Sequence, residues 1–157
     1  MRQLRGGFSL LELLIATAMI AMICGIGIMR LGNSLAEYEL SAAALELAAD
    51  LRWMQQLAVN SPAIAGGPFY ALAVDHRTGA RYQIMASTKT LKWTVLPQSV
   101  RLLDVKDNLV FYSNGRPNQG LSFVLQSLPL RRTRYVIVAA VTGRVRISDT
   151  PAQAVEK

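Results

Sequence analysis

At 157 residues the chain accommodates one domain plus an appendage, and its single cysteine, Cys24, excludes an internal disulfide framework. Hydrophobic residues make up 52 % and charged residues 17 %, respectively above and below an ordinary soluble composition, and the apolar excess is concentrated near the N-terminus. The net charge of +7 and pI of about 10.1 raise nucleic acid or an anionic membrane as partners.

The first residues are basic, with Arg2 and Arg5 ahead of an apolar run. From Phe8 to Met29 the only ionisable side chains are Glu12 and Cys24, and a helical run of that size is expected to cross a hydrocarbon core about 30 Å thick. Basic residues before such a run hold that end in the cytoplasm. A secretory signal would place its small-residue cleavage site after the apolar stretch, whereas Gly6-Gly7 comes before it. Cleavage after Gly7 would remove the basic leader and keep the apolar segment. Glu12 is the anomaly, because an unpaired carboxylate at membrane depth is costly. It can pair with an amine, stay protonated and buried, or be stabilised by the helix N-terminal dipole.

Gly7-Phe8-Ser9-Leu10-Leu11-Glu12 resembles the leader junction of type IV prepilins and type II secretion pseudopilins, G-F-[TS]-L-[IL]-E followed by about twenty apolar residues. The resemblance implies that a prepilin peptidase cuts after Gly7 and methylates the new N-terminus at Phe8. It also implies that Glu12 neutralises the Phe8 amine of a neighbouring subunit during assembly. The segments expected are a leader over 1–7, a transmembrane and filament-core helix over 8–31, and an amphipathic helix over 32–60. Expected partners are the peptidase, other pilins or pseudopilins and inner-membrane lipid. The expected placement is single-pass in the cytoplasmic membrane, with the head outside, followed by entry into a pilus or pseudopilus.

Gly25, Gly27 and Gly32 either bend the apolar helix, admit a close neighbour or are simply tolerated. Beyond them Leu40, Ala44, Leu47, Leu51, Met54 and Ala58 form one stripe at 4-3-4-3-4 spacing, with Asn33 or Ser34 as its cap. Glu37, Glu39, Glu46 and Asp50 give this helix an acidic face. Asn60-Ser61-Pro62 and Gly66-Gly67-Pro68 break it. The chain then reads as strands over 69–74, 81–87, 92–96, 100–104, 109–112, 121–126, 134–140 and 144–148, with turns at Asp75–Gly79 and Ser113–Asn118. The fold class expected is α+β: a long helix, half in the membrane, packed on an antiparallel β-sandwich or curled sheet over 61–149, with a flexible tail over 150–157.

Leu109-Val110-Phe111 with Asn114-Gly115, and Thr142-Gly143-Arg144-Val145-Arg146-Ile147, are similar to the strand-turn and closing G-R-x-R elements of the GspH/FimT branch of minor pilins. Ala63-Ile64-Ala65-Gly66-Gly67 departs from that branch, lacking the first strand's polar-apolar alternation.

No catalytic constellation is visible. His76 lies in a turn without a nucleophile, Cys24 has no histidine near it, and Asp104 with Asp107 lack a ligand loop. The chain reads as a non-enzyme with no cofactor and no metal. Between Leu109 and Ser148 there are no Asp, Glu or Lys residues, yet Arg116, Arg131, Arg132, Arg134, Arg144 and Arg146 appear. Arg144 and Arg146 share a strand face, and a hairpin would bring Arg131, Arg132 and Arg134 towards them. Two readings follow. One is a minor pilin or pseudopilin that initiates or caps a filament. The other is a FimT-like pilin whose five arginines, 131, 132, 134, 144 and 146, bind double-stranded DNA during transformation.

Overall fold

The computed structural model describes residues 9–61, 69–103 and 109–151, and for 26–30 the backbone alone. The expectations for Gly7 and Phe8, for Ala63–Gly67, for Asp104 and Asp107 and for the end of the tail lie outside the described residues. Among the described residues one helix, α1 (Leu10–Asn60), precedes eight strands. These are β1 (Tyr70–Val74), β2 (Arg81–Ala86), β3 (Lys89–Val95), β4 (Val100–Leu103), β5 (Leu109–Phe111), β6 (Leu121–Ser127), β7 (Thr133–Val138) and β8 (Val145–Ser148).

Among the described residues no helix is long and apolar enough to cross a membrane, which overturns both the membrane-spanning half-helix over 8–31 and the single-pass placement in the cytoplasmic membrane. The described apolar stretch runs from Leu10 to Gly25, short of the roughly 20 residues a hydrocarbon core requires. The helix also continues past Gly25, Gly27 and Gly32, so Asn33 and Ser34 lie in its interior rather than at its start.

The chain divides into two compact units between Leu35 and Ala36. In the first, the backbone carbonyl of Ser9 accepts from the amides of Glu12 (3.0 Å) and Leu13 (3.2 Å), which closes the first turn of α1.

In the second unit the stripe from Leu40 to Ala58 is buried along its whole length, joined by Ala43 and Ala48. Two four-stranded antiparallel sheets complete the core, ordered β3-β2-β1-β5 and β4-β6-β7-β8. Alternation explains what each contributes: Leu72, Tyr82 and Ile84 point inward from the first sheet, and Phe123, Leu125, Val136 and Val138 from the second. Helix, first sheet and second sheet share one hydrophobic cluster.

Glycine fixes two joints between these elements. Gly79 has φ +58°, donates its amide to the Asp75 carbonyl and accepts the amide of Leu102, so the β1–β2 turn is hydrogen-bonded to β4 of the other sheet. A Cβ there would run into the Leu102 carbonyl. Gly143 has φ +67°, and a Cβ on it would lie 2.5 Å from the Gly115 carbonyl oxygen and 2.6 Å from Gln55 Nε2.

Candidate functional site

Most of the described surface of the first unit belongs to the apolar start of α1. Leu10, Leu11, Leu13, Leu14, Met19 and Ile20 are all exposed, and from Leu10 to Gly25 the one charged side chain is Glu12, also exposed, in the first turn. Consecutive leucines on both sides of the glutamate leave no polar face on which a single chain could rest this segment in water.

The five arginines do not form one patch. Alternation along β7 sets Arg134 on the same side as Val136 and Val138, which face the core, whereas Arg146 pairs across β7–β8 with Ile137 on the opposite face. Arg131, Arg132 and Arg134 line a cavity of about 420 Å³ together with Glu37 and Asp149. Arg132 is ion-paired with Glu37, and Arg134 Nε lies 3.3 Å from Asp149 Oδ1. Arg144 and Arg146 border a separate groove of about 730 Å³, floored by apolar residues including Leu121, Ile137 and Val138. Among the described residues no carboxylate pairs with either. Within the acid-free run from Leu109 to Ser148, Arg132 and Arg134 thus acquire counter-charges from outside it, while among the described residues no ion pair neutralises Arg116, Arg131, Arg144 or Arg146.

The two motifs resembling minor pilins meet in space. Gln55 of α1 donates to the Gly115 carbonyl at 2.8 Å, and Gly143 packs on that same carbonyl. Arg52, one turn before Gln55, donates to the carbonyl of Val145 at 3.3 Å. The Gly115 turn and the first residue of β8 are therefore fastened to the helix through backbone oxygens.

A polar cluster between α1 and the first sheet was not anticipated from sequence. Asp50, only 6 % exposed, accepts from the Tyr82 hydroxyl at 2.8 Å, from Lys92 Nζ at 2.7 and 2.9 Å and from the Thr94 hydroxyl at 3.3 Å. Glu46, one turn earlier, lies 3.4 Å from the same ammonium. Burial pushes the Tyr82 phenol far above its ordinary range, and the adjacent Asp50 charge pushes it further. Burial alone would lower the Lys92 pKa, but the Asp50 and Glu46 carboxylates more than reverse this and hold it above the usual lysine value. A signal was present in the sequence: Asp50 stands three residues after Leu47 and four before Met54, on the buried side of the helix rather than on the solvated acidic face.

His76 is exposed in the turn after β1. Its neighbour Asp75 organises that turn, accepting from the Arg77 amide, the Thr78 hydroxyl and Arg81 Nε. The Arg77 amide and Thr78 hydroxyl, with help from Arg81, keep the Asp75 carboxyl below the ordinary aspartate range. Cys24 is exposed on α1. Among the described residues no group of three His, Cys, Asp or Glu side chains is placed to hold a metal ion. No family model, curated protein or solved structure matches the chain.

Proposed function

We propose that this chain is a non-enzymatic filament subunit of the pilin or pseudopilin kind, processed after Gly7 and assembled non-covalently through the apolar start of α1. The observation that carries the reading is the exposed apolar surface from Leu10 to Ile23 around one carboxylate. Contiguous apolar surface of that extent marks an interaction site. Packing such helices side by side buries it, and a charge carried into that contact has to be paired. Processing after Gly7 supplies the pair, because it creates an α-ammonium at Phe8, four residues before Glu12 in the sequence. On one chain that ammonium is available to the carboxylate of the next.

The second unit supports this reading. Its helix and two sheets share one hydrophobic core, and its two minor-pilin-like motifs are fastened to α1 at Arg52 and Gln55. The test of processing is the intact mass of the chain isolated from its own cells. A chain beginning at N-methylated Phe8 is expected. A chain still beginning at Met1 in the assembled fraction overturns the assignment.

A further inference from the structure

Strand β3 is patterned the wrong way round for an outer strand. Lys92 and Thr94 point towards α1 and reach Asp50, while Trp93 (57 % exposed) and Val95 (73 % exposed) point to solvent, with Leu91 also exposed. Strand order places β3 at the edge of its sheet. The Leu96 amide donates to Ala80 of the β2 side, so by alternation Thr94 and Lys92 direct their backbone groups to β2 while Trp93 and Val95 direct theirs away from it. The residues with free backbone groups are therefore the ones with exposed apolar side chains. Natural edge strands are usually blunted by charge, proline or a covering element, and an exposed apolar edge invites another strand.

We infer that β3 pairs antiparallel with β3 of a second copy of this chain, about a two-fold axis at Thr94. In that register Trp93 lies opposite Val95 of the second copy, and Val95 opposite its Trp93. Aromatic and β-branched residues make favourable cross-strand pairs. Charge permits the contact despite a net charge of +7 on each chain. Lys92 is neutralised by Asp50 and Glu46 and would stand opposite Leu96. Arg81, whose guanidinium carbon lies 5.6 Å from the Trp93 ring centroid, is neutralised by Asp75 at 3.0 Å. Lys89 would stand opposite Ser99. No like charges face one another. The register also avoids the irregularity between Ile84 and Met85, which disturbs only the beginning of β3.

A stable interface buries roughly 800 Å² per partner, and the pairing of two seven-residue edge strands is a small contact beside it, so it is weak in dilute solution and fills when chains are held at high local concentration. It is isologous, and therefore joins two chains and stops. It uses a different surface from the α1 assembly contact and does not depend on that reading.

The test is cross-linking of the full chain in detergent, in a Cys24→Ser background. Opposed residues in this register have Cα atoms about 5.5 Å apart, within the range of a disulfide. Trp93→Cys chains mixed with Val95→Cys chains should give a heterodisulfide several-fold in excess of either homodisulfide and of a Tyr112→Cys control. A further Val95→Lys variant, at a site too exposed to affect folding, should keep the circular dichroism of the parent. Its self-association in sedimentation should fall. Equal yields for the mixed, homotypic and control pairs would overturn the strand pairing. So would undiminished association of Val95→Lys. Association driven by α1 alone cannot imitate the preference for the 93–95 pair, so failure of one contact is distinguishable from failure of the other.

Discussion

Replacing Asp50 by alanine tests how the helix is locked to the first sheet. The carboxylate holds a nearly fully buried phenol, a buried hydroxyl and an ammonium at distances between 2.7 and 3.3 Å. Removing it leaves the Tyr82 hydroxyl without that acceptor, which costs about 1–3 kcal/mol. The Lys92 side chain retains 37 % exposure and recovers much of its hydration, so its share is well below the roughly 3–5 kcal/mol of a fully buried pair. Together these give about 3 kcal/mol for Asp50→Ala. Asp50→Asn, which can still accept from Tyr82, should cost about 1 kcal/mol, the size of one ordinary hydrogen bond. Urea unfolding reads both values, with an unchanged m-value showing that the transition remains comparable. A cost below about 1 kcal/mol for Asp50→Ala would mean that the cluster contributes little, and would refute the reasoning from its burial and geometry.

Other consequences follow from the same geometry. Stability should fall on the alkaline side: Lys92 and Tyr82 both have folded pKa values raised above 10.5 and 10.0, so their contributions are complete below those values and are lost as pH rises beyond them. Titrating thermal stability of the parent and of Lys92→Met through that range checks this, the variant being expected to lose the lysine part of the slope. Asp75 behaves oppositely, contributing above 3.8 and losing that contribution as pH falls through its lowered folded value, so Asp75→Asn should flatten the acid limb of the same titration. Gly79→Ala should destabilise by about 2 kcal/mol or more, since it adds a left-handed alanine against a backbone carbonyl; an unchanged urea midpoint would contradict the Leu102 contact. On a polyanion column, Arg144→Ala with Arg146→Ala should lower the eluting salt concentration more than Arg132→Ala with Arg134→Ala, because the second pair is already neutralised by Glu37 and Asp149.

Local pattern was informative where one physical rule dominated. The eight strands occupy the eight segments marked by alternation and turn residues, with bounds that differ by up to three residues. The stripe from Leu40 to Ala58 faces the core because a 3.6-residue period leaves a helix little choice. Errors arose where several rules competed. Asn33 and Ser34 have the chemistry of a helix cap, but neighbouring helix formers keep both positions inside α1. Arginine spacing suggested one basic patch, yet alternation within β7 sends Arg134 and Arg146 to opposite faces, and the neutralising acids come from α1 and from beyond β8. Local pattern marks strand β3 only from Lys92 onward, whereas the strand begins at Lys89. Its polar residues point inward because Asp50, 42 positions earlier, receives Lys92, and no local window contains that pairing.

The central claim is that Glu12 on the apolar start of α1 is an assembly contact. The most direct measurement compares the amounts of parent and Glu12→Ala chain in the sheared filament fraction of the native cells, normalised to total chain. Glu12 lies outside the core of the second unit, so the variant should accumulate with a normally folded head and be depleted from filaments. Incorporation equal to the parent would contradict the account.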